Sequence, residues 1–233
     1  MTHDIDATRA LVQEATARLI RTVDGLSAEQ LAEPSGLPDW TRAHVVAHLA
    51  LNSEGLAGAL AGIGQEQPQP MYASQEARDG DIADLAAAEP AELRDRLLGG
   101  STAFDDAVAS VPVDGWSSQV ERTPGGRTFT AAAAPGMRLR EVEIHHVDLD
   151  AGYRPQAWPA DFCRLLLDGM VKRPGATSFT VDPVDLDGTW TVGEGSGPTV
   201  TGPAWALGWW LTGRGDSGEL SSSDGTLPVV EAW

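Results

Sequence analysis

Positive charge is scarce in this chain. Lys and Arg number 16 against 34 Asp and Glu, a formal net charge of -18 at pH 7. Binding to a phosphate backbone needs clustered cations that release counterions, so nucleic acid is excluded as a partner, and an anionic membrane surface with it. An anionic substrate would need a local positive centre to offset the overall field. Cysteine is nearly absent as well. The lone Cys163 allows no intrachain disulfide and makes a cytoplasmic location the default expectation. The opening MTHDIDATRA has no basic stretch ahead of an apolar run, so no signal peptide is expected. No apolar run is long enough to span a bilayer. Internal repeats, a phosphate-binding glycine loop and a GxSxG nucleophile elbow are all missing.

What is present is a core. The 233 residues are 42% hydrophobic, enough for one large domain or two small ones. The first two thirds read as helices. Leu11, Val12, Ala15, Leu19, Ile20 and Val23 follow the helical period over 5–23. Ser27 and Gln30 have the spacing of a capping box. After a loop with Pro34, Gly36 and Pro38, Thr41 is placed to cap a helix running to about Ile63. A Pro- and Gln-rich connection covers 64–72. Ser74 is a further cap, and Pro90 suits the first turn of another helix, weakened in its middle by Gly99-Gly100. Two β-prone pieces flank Pro124-Gly125-Gly126, as in a hairpin. A last helix then runs over 139–152, with Pro135 and Gly136 in its irregular first turn.

Composition shifts after Tyr153. RPQAWP reads as a linker, PADFCRLLLDGMV as an amphipathic helix, and SFTVD, TWTV and PTVTG as short strands between turns. GPAWALGWWLTGRG reads as a helix with Pro203 near its start and Gly213 at its end. The expected architecture is α+β: a helical domain over 1–152 and a small α+β domain over 153–233.

Chemistry concentrates in LREVEIHHVDLDAG, residues 139–152. Glu141 and His145 are four apart and share a helix face, and Asp148 falls near the same face. His44 and His48 are likewise one turn apart. If the two helices are neighbours, three or more N and O donors converge, as in metal sites of helical bundles. Two imidazoles and a carboxylate suit zinc with one position open, and iron or nickel also fit. The competing reading is a set of buried histidines satisfied by neighbouring carboxylates. His146 points about 100° away from His145, which gives it a supporting or surface position. Cys163 and Trp205, Trp209 and Trp210 read as packing. Arg214 stands past a helix end between two glycines, where it is either a solvated loop arginine or a bidentate clamp for a carboxylate.

The segments DWTRAHVVAHLALN, PMYASQEARDGDIADL, GWSSQV, RLREVEIHHVDLDAG and LTGRGDSG together resemble the mycothiol-dependent maleylpyruvate isomerases, in the family's order and over nearly the whole chain. The first and fourth motifs are shared with a wider group of thiol-dependent enzymes. The resemblance implies a DinB-like four-helix bundle followed by a small α+β domain. It implies zinc, or another divalent metal, bound by His48, Glu141 and His145, with His44 and Asp148 outside the ligand set. The family's catalytic arginine falls on Arg214. Glu143 and His146 depart from the family's pattern by being polar.

The implied reaction is thiol-dependent cis–trans isomerisation of maleylpyruvate to fumarylpyruvate. The implied partners are a small dicarboxylate substrate and a low-molecular-weight thiol, mycothiol foremost. A thiolate adds to a conjugated carbon and leaves readily. Cys163 reads as core, so the thiol is borrowed. The alternatives are a zinc- and mycothiol-dependent S-transferase, a zinc amidohydrolase using metal-bound hydroxide, and a non-enzymatic metal- or ligand-binding regulatory bundle.

Overall fold

The computed structural model describes residues 4–63, 69–173, 177–194, 196–216 and 218–232. His3 and residues 64–68 of the expected connection lie outside them. The chain forms two compact units, Met1–Gly152 and Tyr153–Trp233, and the fold class is α+β.

The first unit is built on four long helices: α1 (Ile5–Asp24), α3 (Arg42–Ala61), α5 (Pro90–Ser110) and α6 (Ala134–Asp148). They pack in a ring, α1 against α5 and α6, and α3 against α5 and α6. The short α2 (Ala28–Ala32) and α4 (Gln75–Ala86) pack on α3 or precede it. Local sequence sets the starts. Asp4, Ser27, Thr41 and Ser74 each accept first-turn backbone N–H groups at the starts of α1 to α4, each cap contributing about 1 kcal/mol. The sharpest packing constraint is on α5. A Cβ on Gly100 would meet Ser53 Oγ at 2.6 Å and Ala50 O at 3.0 Å, so glycine there lets α5 approach α3 closely. Gly99 has nothing within 4 Å of its Cβ position.

The expected hairpin forms. Strands β1 (Gln119–Glu121) and β2 (Thr128–Thr130) pair antiparallel with Val120 opposite Phe129, and Gly125 takes the left-handed conformation at φ 66°. The preceding loop joins its edge through Met71 N to Glu121 O and Tyr72 N to Arg122 O, both 3.0 Å. The α6 helix begins where Pro135 and Gly136 are expected to form its first turn, and it ends before the expected residue 152. It starts at Ala134, with Pro135 in its first turn, and stops at Asp148. Asp150 is left-handed at φ 49°, which no helix continues through.

The second unit contains α7 (Ala160–Met170), α8 (Ala204–Leu211) and a four-stranded sheet. Its order is β4 (Trp190–Val192), β3 (Phe179–Pro183), β5 (Thr199–Gly202), β6 (Ser221–Ser222), with β3 and β5 parallel and the other pairs antiparallel. The helices pack on each other through Trp158, Phe162 and Trp209, and Trp210 meets Phe179 at a tilt, 5.2 Å between ring centroids. Cys163 is buried in α7. No helix among the described residues is long and apolar enough to cross a membrane.

Candidate functional site

The site grows from the facing sides of α3 and α6. Thr41 starts α3 through a capping box whose second member is His44: Thr41 Oγ1 accepts from His44 N, and Thr41 N donates to His44 Nδ1 at 3.3 Å. His44 is therefore occupied by the helix start. One turn on, His48 is buried and faces α6. Arg42, at the first position of α3, reaches the end of α6 and donates from Nε to Leu149 O (3.0 Å) and from Nη2 to Asp150 O (2.9 Å). Gly36 N donates to Asp148 O at 2.7 Å. These contacts fix the start of α3 against the end of α6.

On that frame His48 Nε2 lies 2.9 Å and His145 Nε2 3.3 Å from the same oxygen, Glu141 Oε2. Among the described residues these three form a group whose ligand atoms all fall within 4.8 Å of one another. The two imidazole rings meet edge to face, 4.7 Å between centroids. His145 Nδ1 contacts Asp148 Oδ2 at 2.8 Å, with both residues buried. A carboxylate on Nδ1 holds a proton there and orients the ring with Nε2 toward Glu141 and His48, the arrangement usual behind metal-bound histidines.

Electrostatics follow from burial and these contacts. Burial pushes the His48 pKa down to about 4, against the opposing pull of Glu141, so the ring is neutral near pH 7. Burial would raise Glu141, but hydrogen bonds from His145 and His48 hold it well below the usual carboxylate range. Burial opposes charge on His145 too, yet Asp148 and Glu141 together raise its pKa. The cluster thus offers two imidazole nitrogens and an ionised carboxylate, a donor set that fits a divalent cation.

Glu143 and His146 do not belong to this cluster. They are buried on another face of α6, toward α1. Arg18 Nη2 donates to Glu143 Oε1 at 2.6 Å, and His146 Nε2 lies 2.8 Å from Thr22 Oγ1. His146 is 2% exposed, so a surface position is excluded. Their polarity serves the α1–α6 interface.

The chain matches the family model of the mycothiol maleylpyruvate isomerase N-terminal domain over residues 12–150. It belongs to this family. Two solved structures agree over both units: the mycothiol-dependent maleylpyruvate isomerase (TM-score 0.87) and a histidine-to-alanine variant of it (0.86). Each is 28% identical in sequence, and each comparison covers 99% of this chain and 97% of the other. No curated protein matches the chain.

Several residues around the cluster of this mycothiol maleylpyruvate isomerase family member carry no role in the sequence reading. Arg78 Nη2 lies 3.0 Å from His48 Nδ1; a guanidinium only donates, so with this contact Nδ1 accepts and Nε2–H donates to Glu141. Coordination of an ion through Nε2 would require the proton to move to Nδ1 and Arg78 to turn away. The Arg78 guanidinium also lies 5.7 Å from the Tyr72 ring centre, on which Arg122 packs as well at 5.5 Å. Trp40 covers His48, 5.7 Å between rings. Arg138, one turn before Glu141, is fully buried. Its Nη1 donates to Leu49 O (2.7 Å) and Asn52 Oδ1 (2.9 Å), and burial lowers its pKa to about 10. PMYASQEARDGD and RLRE show these arginines as motif letters, but nothing local says which helix each will cross to.

Arg214 lies in the second unit, half-buried. Its guanidinium is 5.8 Å from the Trp209 ring centre, and Nη1 is 3.4 Å from Thr212 O. Its neighbours Gly213 and Gly215 are left-handed, at φ 76° and 95°. Gly213 packs directly on the backbone of Ala232, so no side chain fits there.

Proposed function

We propose that this protein is a thiol-dependent cis–trans isomerase that converts maleylpyruvate to fumarylpyruvate, with zinc or another divalent metal held by His48, Glu141 and His145. The observation that carries this reading is the convergence of those three donors in a chain of this family. When bound, the metal and mycothiol supply an activated thiolate that adds to a conjugated carbon and leaves again, so that the double bond rotates as a single bond.

The chain's own residues have separate tasks. Asp148 holds the proton on His145 Nδ1 and so aims Nε2. Glu141 supplies the negative charge that balances a cation. Arg42 and Gly36 keep the two helices in register. Arg214 binds a substrate carboxylate and offsets the charge that develops on addition, as a planar donor fork in an otherwise acidic protein.

The test follows maleylpyruvate isomerisation by zinc-loaded protein with and without mycothiol. Turnover is expected only with the thiol, and a folded Cys163→Ser variant should retain it. His48→Ala and His145→Ala should lose the metal, whereas His44→Ala should keep it. Isomerisation by thiol-free protein, or full zinc in both ligand variants, would overturn the assignment. Conjugation of electrophiles without isomerisation would mark an S-transferase instead.

A further inference from the structure

A cleft of about 550 Å³ opens between α3, α4 and the start of α5, within the size range of small-molecule sites. It lies wholly within the first unit. Its apolar lining is Leu51, Met71 and Leu85, and its rim carries Asp81, Asp84 and Glu92. Glu54 and Arg96 close one side as a bidentate pair, with both contacts at 2.6 Å. Arg78 and Tyr72 also line it. Arg78 is the link to the triad, because the same guanidinium contacts His48 Nδ1 at 3.0 Å. The cleft therefore begins one side chain away from the metal-ligand set.

The charges select the occupant. Four carboxylates (Glu54, Asp81, Asp84, Glu92) face two guanidinia (Arg78, Arg96). The negative excess repels a dicarboxylate, so the substrate is not the ligand of this cleft. A cation meets Arg78 at the inner end. An uncharged molecule rich in hydroxyls suits every part. Its O–H groups donate to the rim carboxylates and accept from the arginines, while its C–H faces cover the leucines and Met71.

We propose that this cleft is the subsite for the uncharged polyhydroxyl body of the thiol, which lies there with its sulfur directed past Arg78 toward His48, Glu141 and His145. The proposal rests on the thiol-dependent reading above and adds where the thiol's non-reacting part is held. Mycothiol carries such a body. Binding energy gathered there positions the sulfur without touching the reacting bond.

The test is calorimetric binding of S-methylmycothiol, whose blocked sulfur cannot form a thiolate, to the full chain with and without zinc. Binding is expected in both forms. It should weaken at least tenfold in Asp81→Asn/Asp84→Asn/Glu92→Gln. Ala88→Phe, which fills the cleft from α4's end, should abolish it, and thermal melting checks folding in each variant. A small neutral thiol lacking the polyol, N-acetylcysteinamide, should bind zinc-loaded wild type and the triple variant alike. Equal affinity of S-methylmycothiol for wild type and both variants overturns the proposal, as does no binding to wild type. The two readings fail separately. Cleft-dependent binding without isomerisation sinks only the isomerase assignment. Thiol-dependent isomerisation with cleft-independent binding sinks only the subsite.

Discussion

Asp148 Oδ2 lies 2.8 Å from His145 Nδ1, three residues earlier on the same helix. The helical geometry that lets Glu141 approach His145 Nε2 from one turn before also lets Asp148 hold the far side of the ring. One imidazole is thereby gripped at both nitrogens, and its orientation is fixed by its own helix.

Removing that grip should weaken metal binding. Asp148→Ala should lower zinc affinity about 10–100-fold, the usual effect of losing such a partner. Competition with a chromophoric chelator measures it. Unchanged affinity would show that packing alone orients the ring.

Arg214→Ala should reduce kcat by ~10²–10³ if the arginine stabilises charge developing in the transition state. Arg214→Lys should recover only part, since it keeps the charge and loses the fork. Zinc content should be unchanged in both. Near wild-type kcat/KM in the alanine variant would leave Arg214 a packing partner of Trp209.

The two adjacent glycines of α5 should respond in opposite directions. Gly99→Ala has open space and should stabilise by roughly 0.5–1 kcal/mol through helix propensity. Gly100→Ala would drive a methyl into Ser53 Oγ and Ala50 O and should destabilise despite the same propensity gain. Denaturant unfolding of both variants decides it.

His146 sets part of the acid limit. Burial, with the nearby Arg18 charge adding to it, lowers its pKa from 6.5 to about 4. The unfolded chain therefore takes up this proton first as pH falls. The stabilisation is full above about pH 6.5 and is lost on descending toward pH 4, at most on the order of 3 kcal/mol. His146→Gln should flatten the fall in stability across that window. An identical pH slope in wild type and variant would contradict the burial argument.

What could be read from the sequence was local. The Ser27 cap, the Thr41 cap, the glycine turn of the hairpin and the one-turn spacing of Glu141 and His145 all lie within a few residues. The end of α6 is not legible in the local sequence because its determinants are remote: Arg42 and Gly36 take the carbonyls of 148–150 from more than a hundred residues away. Spacing alone could not separate His44 from His48. Both sit one turn apart, and only the reciprocal contact of His44 with Thr41 shows which imidazole is committed to the helix start. The partners of Arg78 and Arg138 depend on helix packing, which periodicity does not encode.

The Arg42 guanidinium also accounts for how freely the centre would exchange its ion. It donates to Gln30 O, Leu149 O and Asp150 O and pairs with Glu33, bracing three chain segments with one side chain. Donors held on such a brace keep their spacing without help from an ion. Exchange of one divalent ion for another in the proposed centre is then easy only between ions that accept that spacing, and among those the occupant follows the supply of each ion. Protein expressed in medium enriched in such an ion would carry it, and the metal recovered with the protein would record the growth medium.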